Sequence, residues 1–334
     1  MVSNKRAELS GRASRCQREG RGFDPLCPLQ LKVIKSKFIT SIFQKFLINR
    51  DIRKFKKSLI YYFLFRAIRN FLSKNIILNI YNFKVYGSTN KNKTSYFLLK
   101  KCEFGDYHEL NTIKKISDND KVLFLDCGCN YGFYSLYVAS LSSENQIISV
   151  EASKKTLEEL NKNLNLNNFS NIYFYNNAIS DTDEKIINFK ESEKDWESSI
   201  THQNYNSNES SIVNSIKIDT LVQDYELEKY KIIIKLDIEG NEMRGIHGSL
   251  DLIEKSSPLI IIEFSKYIFS KKDNIEYLKN FLDRYDYSIY DTNNKKKSLD
   301  NILSKLDNLK KRHQTIGNFY LIKNSSKILE EFLT

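Results

Sequence analysis

From residue 76 onward the apolar positions alternate between two rhythms. Short runs dense in Ile, Leu, Val and Phe are followed by stretches in which apolar residues recur every three or four positions. The first is the signature of strands and the second of amphipathic helices. NIILNIYNFKVYG (75–87) reads as a short hairpin and HELNTIKKI (108–116) as a helix leading in. Lys121–Asp126 reads as an apolar strand, Tyr131–Leu141 as a helix, and Gln146–Glu151 as a strand ending in an acid. Ser153 is a suitable N-cap for a helix carrying Leu157, Leu160 and Leu164 on one face. NIYFYNNA is a third strand. YKIIIKLDIEG is a fourth, with the continuous apolar run of a strand covered on both faces. Met243, Ile246, Leu250 and Ile253 repeat at helical spacing after it; PLIIIEFS and NFYLI are later strands. The Asn/Ser-rich stretch 197–212 reads as a loop between the third and fourth strands. Strands alternating with helices predict an α/β fold with a doubly wound, mostly parallel sheet.

The first 75 residues break this pattern. Residues 1–30 hold five of the twelve arginines, two of the three prolines and two of the five cysteines, with no apolar period. They read as a disordered or non-native tail, and GRGFDP can be written in codons resembling a transfer-RNA T-arm; the native chain is expected to begin near residue 30. Residues 31–75 carry twelve Lys/Arg against Asp51 alone, interleaved with Ile, Phe, Leu and Tyr. That composition predicts a basic amphipathic helical extension, either a cap on the main domain or a helix lying on an anionic membrane surface. The overall charge of +11 belongs to this part, since residues 76–334 hold 34 basic and 37 acidic residues. No apolar stretch approaches the ~20 residues of a spanning helix. Five cysteines without framework spacing fit a reducing compartment. No nucleic-acid module is recognisable. The expected location is cytoplasmic, with peripheral contact on the inner face of the membrane as the sharper alternative.

Candidate chemistry enters at FLDCGCNYGFYSLY (124–137). In a doubly wound sheet ligands bind beyond the carboxyl ends of the strands, at the switch point of strand order. Gly128 and Gly132 sit at the tip of the first strand, where a missing side chain permits unusual backbone angles and close approach. Glu151 ends the next strand and could accept two hydrogen bonds from ribose hydroxyls, which together suggest an adenosine-type cofactor. The spacing is G-x-x-x-G, so the dinucleotide fingerprint G-x-G-x-x-G is not spelled, and no Walker P-loop is present.

Several segments resemble one family in order and spacing: VLFLDCGCNYGFYSLYVAS, NNAISD at 176–181, IKIDTLV at 216–222, and IIIKLDIEGNEMRGIHGSL followed by PLIIIEF. They are similar to the FkbM family of class I methyltransferases that use S-adenosyl-L-methionine (SAM). Cys127 and Cys129 stand where that family usually has small or aliphatic residues, Ala152 where proline is common, and His247 where lysine is frequent. The resemblance implies a seven-stranded sheet, a catalytic domain over 76–325, and methyl transfer, typically to a hydroxyl of a sugar or glycan. It implies cofactor contacts from Asp126, Gly128, Cys129, Asn130, Gly132, Glu151, Ala152, Asn177 and Ala178. Asp237 and Glu239, at the end of the fourth strand, are candidates for the catalytic base or substrate anchor, with Asp237 expected to be desolvated. His202 in the inserted loop is a second candidate base, whereas His247 reads as surface. A bare C-x-C pair does not make a zinc site, and no metal is expected. The acceptor is expected to be a sugar, glycan or lipid-linked saccharide. The alternatives are a nicotinamide-dependent oxidoreductase and a non-catalytic SAM-fold partner in surface-polysaccharide assembly.

Overall fold

The computed structural model describes residues 30–33, 76–87, 106–190, 210–311 and 314–333. A three-stranded antiparallel sheet comes first. It is formed by β1 (Gln30–Val33), β2 (Ile76–Ile80) and β3 (Phe83–Gly87), in the order β1-β2-β3. The hairpin at 75–87 is therefore as expected, but Gln30–Val33 is a strand where a helical extension was expected to start. Its backbone pairs with β2 from Gln30↔Asn79 to Val33↔Ile76. The rest of that extension, and the tail before it, lie outside the described residues.

The main domain then runs α1 (Tyr107–Asn119), β4 (Val122–Cys127), α2 (Phe133–Leu141), β5 (Gln146–Val150), α3 (Lys154–Asn165) and β6 (Ile172–Tyr175). A side excursion follows: β7 (Ala178–Ile179), β8 (Ile186–Lys190) and β9 (Ser210–Ile216). The chain returns through α4 (Ile218–Val222), β10 (Lys231–Leu236), α5 (Glu242–His247), α6 (Leu250–Ser256) and β11 (Leu259–Ser265). It ends with α7 (Lys266–Phe269), α8 (Lys272–Tyr285), β12 (Tyr287–Tyr290), β13 (Lys296–Lys297), α9 (Leu299–Asp307), β14 (Thr315–Lys323) and α10 (Lys327–Leu333).

The main sheet has the order β13-β12-β14-β11-β10-β4-β5-β6. The five strands from β11 to β6 are mutually parallel, and β14 runs antiparallel to both β11 and β12. This is the doubly wound, mostly parallel sheet expected, with a two-residue edge strand, β13, added to the seven. The chain lays strands outward from β4 in one direction, then starts again at β10 on its other side. The strand order therefore reverses between β4 and β10, and the carboxyl ends of those strands form the switch point.

Two apolar layers cover the sheet. One face packs Phe124, Ile233, Ile261 and Tyr320 against α1, α2, the β2–β3 hairpin and α10. Asn163 of α3 and Asn167 just after it hold the hairpin by accepting from the amides of Tyr86 and Lys84, each at 2.8 Å. The other face packs Leu125, Ile234 and Ile262 against α4 to α9. Ser153 caps α3 as expected, its Oγ accepting from Thr156 N at 3.1 Å.

Three expectations need correction. Ser210–Ile212 belong to β9, which pairs antiparallel with β8, so the inserted loop is shorter than 197–212; residues 191–209 lie outside the described set. The helix after β10 is two short helices. The reason is remote: Asp219 of α4 accepts from the amides of Asp251 and Leu252, opening α6 as a new helix. Finally, the domain does not stop at 325, because Ile328 and Phe332 of α10 are buried in the first core layer.

Candidate active site

The turn after β4 is built from left-handed backbone. Gly128, Asn130 and Gly132 have φ of 80°, 50° and 76°. The amides of Gly128 and Cys129 both donate to the carbonyl of Val150, tying the turn to the end of β5. Gly128 leaves space for the protein itself: a Cβ there would lie 2.0 Å from the carbonyl oxygen of Asp237, at the end of β10. At Gly132 a Cβ would lie 2.5 Å from Leu160 Cδ1. The glycines are thus required by packing of β10 and α3 against the turn, where close approach to a ligand was expected to be the reason.

Glu151 stands directly after β5 and is buried. Its two carboxylate oxygens are oriented by backbone amides, one from Asn130 at 2.9 Å and one from Ser153 at 2.8 Å. Asn130 uses its own Oδ1 to accept from the Tyr131 amide. Asp126 is fully buried and points inward, its Oδ2 accepting from Ser135 N at 3.1 Å and Ser135 Oγ at 2.5 Å. Ser135 in turn accepts from Ser149 Oγ. Burial raises the Asp126 carboxyl above the usual carboxylate range, the Lys235 ammonium and the Ser135 donors opposing this. Asp126 is therefore an anchor of α2 on the sheet.

Ala178 is buried with Phe189 and Val213 in the small core of the β7-β9-β8 sheet, and Ala152 packs against it. Asn177 is directed elsewhere, its amide donating to the carbonyl of Asn214. Asn176, which the sequence did not single out, donates to the carbonyls of Glu151 and Ala152 at 2.8 and 3.3 Å and so fixes the strand-end acid from behind. Cys127 and Cys129 are buried free thiols, and burial raises both well above the ordinary thiol range. No group of His, Cys, Asp or Glu among the described residues could hold a metal ion.

The other half of the edge is charged. Lys235 is buried in β10, its Nζ 2.7 Å from Asp237 Oδ2 and 4.8 Å from the centre of the Tyr134 ring. Burial disfavours the ammonium, but Asp237 and Asp126 outweigh it and hold its pKa above the usual lysine range. Asp237 itself is 42% exposed, which corrects the expectation of a desolvated carboxylate: the buried partner is the lysine. Glu239 occupies a left-handed position in the following turn, with φ 52°. The N-cap is Asn241, and Glu242, the first residue of α5, holds the turn before it, its Oε1 accepting from the amides of Gly240 at 3.1 Å and Ile238 at 3.3 Å. Glu242 is 1% exposed, and its Oε2 is buried without a hydrogen-bond partner. Burial pushes its pKa to about 7, the Asp237 charge adding to the rise. Glu263 of β11 is pushed to about 8 by burial and by the charges of Asp237 and Glu242. His247 is exposed, as expected, and His202 lies outside the described residues.

Residues 126–289, just under half of the chain, match the family model for the Methyltransferase FkbM domain. Over these residues the chain is similar to that domain. The match starts at the buried Asp126 and closes in β12, so it spans both halves of the edge. No curated protein matches the chain. Among solved structures, the FkbM methyltransferase of Methylobacillus flagellatus KT is 18% identical with a TM-score of 0.37; the match covers 60% of this chain and 44% of that one. The chain thus spans less than half of that protein's length. A methyltransferase from Streptococcus mutans, solved in complex with SAH, is 9% identical, covering 66% and 98%, with a TM-score of 0.38. The precorrin-6y C5,15-methyltransferase of Geobacter metallireducens GS-15 is 13% identical, covering 63% and 83%, with a TM-score of 0.33. The resemblance to the FkbM domain rests on the family match alone, and these distant likenesses add nothing to the choice of acceptor.

Proposed function

We propose that the FkbM domain binds SAM at the β4–β5 edge and transfers its methyl group to a hydroxyl of a sugar, glycan or lipid-linked saccharide. The observation that carries this reading is the family match over a turn and an acid of suitable chemistry. Glu151 is a buried carboxylate whose direction two backbone amides and Asn176 fix beside the glycine turn. A carboxylate held in this way suits the vicinal hydroxyls of a ribose. Ala152 and Ala178 offer a small apolar surface beside it for a flat base.

SAM supplies an electrophilic methyl on a sulfonium. The chain must hold the acceptor oxygen in line with it and take up the hydroxyl proton. Asp237 and Glu239, after β10, stand on the acceptor side of the switch point and serve this reading as anchors for acceptor hydroxyls. Cytoplasmic placement with peripheral attachment to anionic lipid is part of the same proposal, supported by the charge of residues 31–75. Among the described residues no helix is long and apolar enough to cross a membrane.

The test is calorimetric titration of the full chain with SAH and with NADH. Binding of SAH but not NADH supports the reading, and the reverse makes the protein a nicotinamide enzyme. SAH binding with no methyl transfer to any glycan fraction would turn the reading toward a non-catalytic partner.

A further inference from the structure

We propose that Glu263, and not Asp237, is the carboxylate that takes the acceptor's proton. This inference rests on the methyltransferase reading above. It starts from register. β10 and β11 pair in parallel with Leu236 opposite Ile262, so the next position along sets Asp237 beside Glu263 on the same face of the sheet. On its other side Glu263 pairs with Asn318 of β14. The carboxyl edge therefore carries Asp237, Glu263 and Asn318 in one row across three strands.

A bulge aims this row. Between the pairs Glu263↔Asn318 and Ser265↔Thr315, β14 has one residue more than β11. Gly317 absorbs it with φ 105°, its missing side chain facing open space. Bulges bend a strand locally and re-aim the side chains beside them. Here the bulge lies directly beside Glu263, at the strand end where a ligand would sit.

The charged groups around Glu263 separate its role from that of its neighbour. From β10 comes Lys235, from the turn after it Asp237, from α5 Glu242, and from β14 the hydroxyl of Thr315. Glu109 of α1 is held by Asn318 at 2.8 Å, and Asp106 by the Tyr134 hydroxyl at 2.9 Å, so those acids are engaged elsewhere. Lys235 donates to Asp237 at 2.7 Å. Asp237 is thus committed to an ammonium, whereas among the described residues no lysine or arginine forms an ion pair with Glu263. Two carboxylates that repel it and a partly buried position keep its proton affinity near neutral pH, where a base works best. In the step itself the acceptor O–H bond breaks and its proton passes to the Glu263 carboxylate. The acceptor oxygen bonds to the methyl carbon while the S–C electron pair stays on sulfur. A neutral thioether and a protonated Glu263 result.

The test needs no acceptor. SAM and SAH differ only in the methyl group and the positive charge on sulfur. If Glu263 faces that methyl, SAM draws its titration down toward the usual carboxylate range and SAH does not. Calorimetry at pH 8 in buffers of different ionisation enthalpy should show SAM binding releasing up to about half a proton more than SAH binding. In Glu263→Gln the difference should vanish while SAH affinity stays within about threefold of the parent. Equal proton release for SAM and SAH in the parent protein overturns the proposal, without reference to any variant. So does a difference that survives in Glu263→Gln and disappears in Asp237→Asn. If SAH binds and only the difference is missing, this inference fails alone; if neither ligand binds, the methyltransferase reading fails first.

Discussion

At the ends of β4 and β5 the polar side chains are satisfied by backbone next to them: Glu151 by two amides, Asp126 by Ser135, Asn130 by Tyr131. At the ends of β10 and β11 the polar groups are mostly one another's neighbours, with one buried ammonium among several carboxylates. The first arrangement fixes positions. The second stores proton affinity, because burial and like charge both oppose ionisation. The proposed methyl transfer to a hydroxyl would use both, a rigid seat for the donor and an adjustable place for a proton.

Changes on the charged side should have the largest effects. Lys235→Met removes the counter-charge of the fully buried Asp126, and breaking such an arrangement from one side costs about 3–5 kcal/mol. Urea unfolding should show that loss, and adding Asp126→Asn should recover part of it. A loss below about 1 kcal/mol would place the lysine among ordinary exposed ion pairs.

Next comes pH. Glu242 titrates near 4.5 when unfolded and near 7 in the fold. The folded chain therefore holds the proton more tightly, so the stability it contributes is complete below pH 4.5 and is lost as pH rises through 7. The full difference is about 3 kcal/mol at 1.36 kcal/mol per pH unit. Glu263 adds a loss of the same sign up to about pH 8. Unfolding of the parent measured from pH 4.5 to 8 should weaken across this window. Glu242→Gln should flatten the curve by Glu242's share, and an unchanged slope would remove this residue from the account.

On the rigid side the effects should fall on ligand more than on stability. Glu151→Ala removes the carboxylate proposed to hold the ribose, whose two charge-assisted hydrogen bonds would each be worth ~1.5–3 kcal/mol. SAH affinity by calorimetry should fall at least about tenfold, with a smaller loss in the urea midpoint from the two amides left unpartnered. The smallest effect is expected at Asn177, whose amide is spent on Asn214. Asn177→Ala should change SAH affinity by less than about threefold, within the range of a lost exposed hydrogen bond. A larger loss would put its side chain in the adenine pocket after all.

The rigid side was the more legible in sequence because its logic is local. A glycine turn, a strand-end acid 23 residues after Gly128 and an N-cap serine all announce themselves within one strand–helix–strand unit. The charged side is assembled by register between strands far apart in the chain. Lys235 looks like one polar residue in an isoleucine run, and Glu263 like the end of another. Only the pairing of β10 with β11 sets Glu263 beside Asp237. Glu242 resembles any acid in a helix's first turn; that it holds the turn before it and buries an unpartnered oxygen depends on packing. The break between α5 and α6 was hidden for the same reason, since its cap, Asp219, comes from another helix. Asn176 is a further case, legible only as half of the neutral NN pair before Ala178.

The contact between Gly128 and the carbonyl of Asp237 has a consequence for anyone recombining this domain with a relative to change its acceptor. The breakpoint a protein engineer would choose falls between the first half, proposed to bind the donor, and the second half, proposed to face the acceptor. That cut separates two backbone segments that touch where a single methyl group would intrude, at 2.0 Å. A chimera whose new first half carries alanine at the position of Gly128, or whose new second half turns differently after β10, would clash there although each parent is sound. Residues 126–132 and 236–240 are thus one heritable unit, and swaps that move them together are the ones expected to fold.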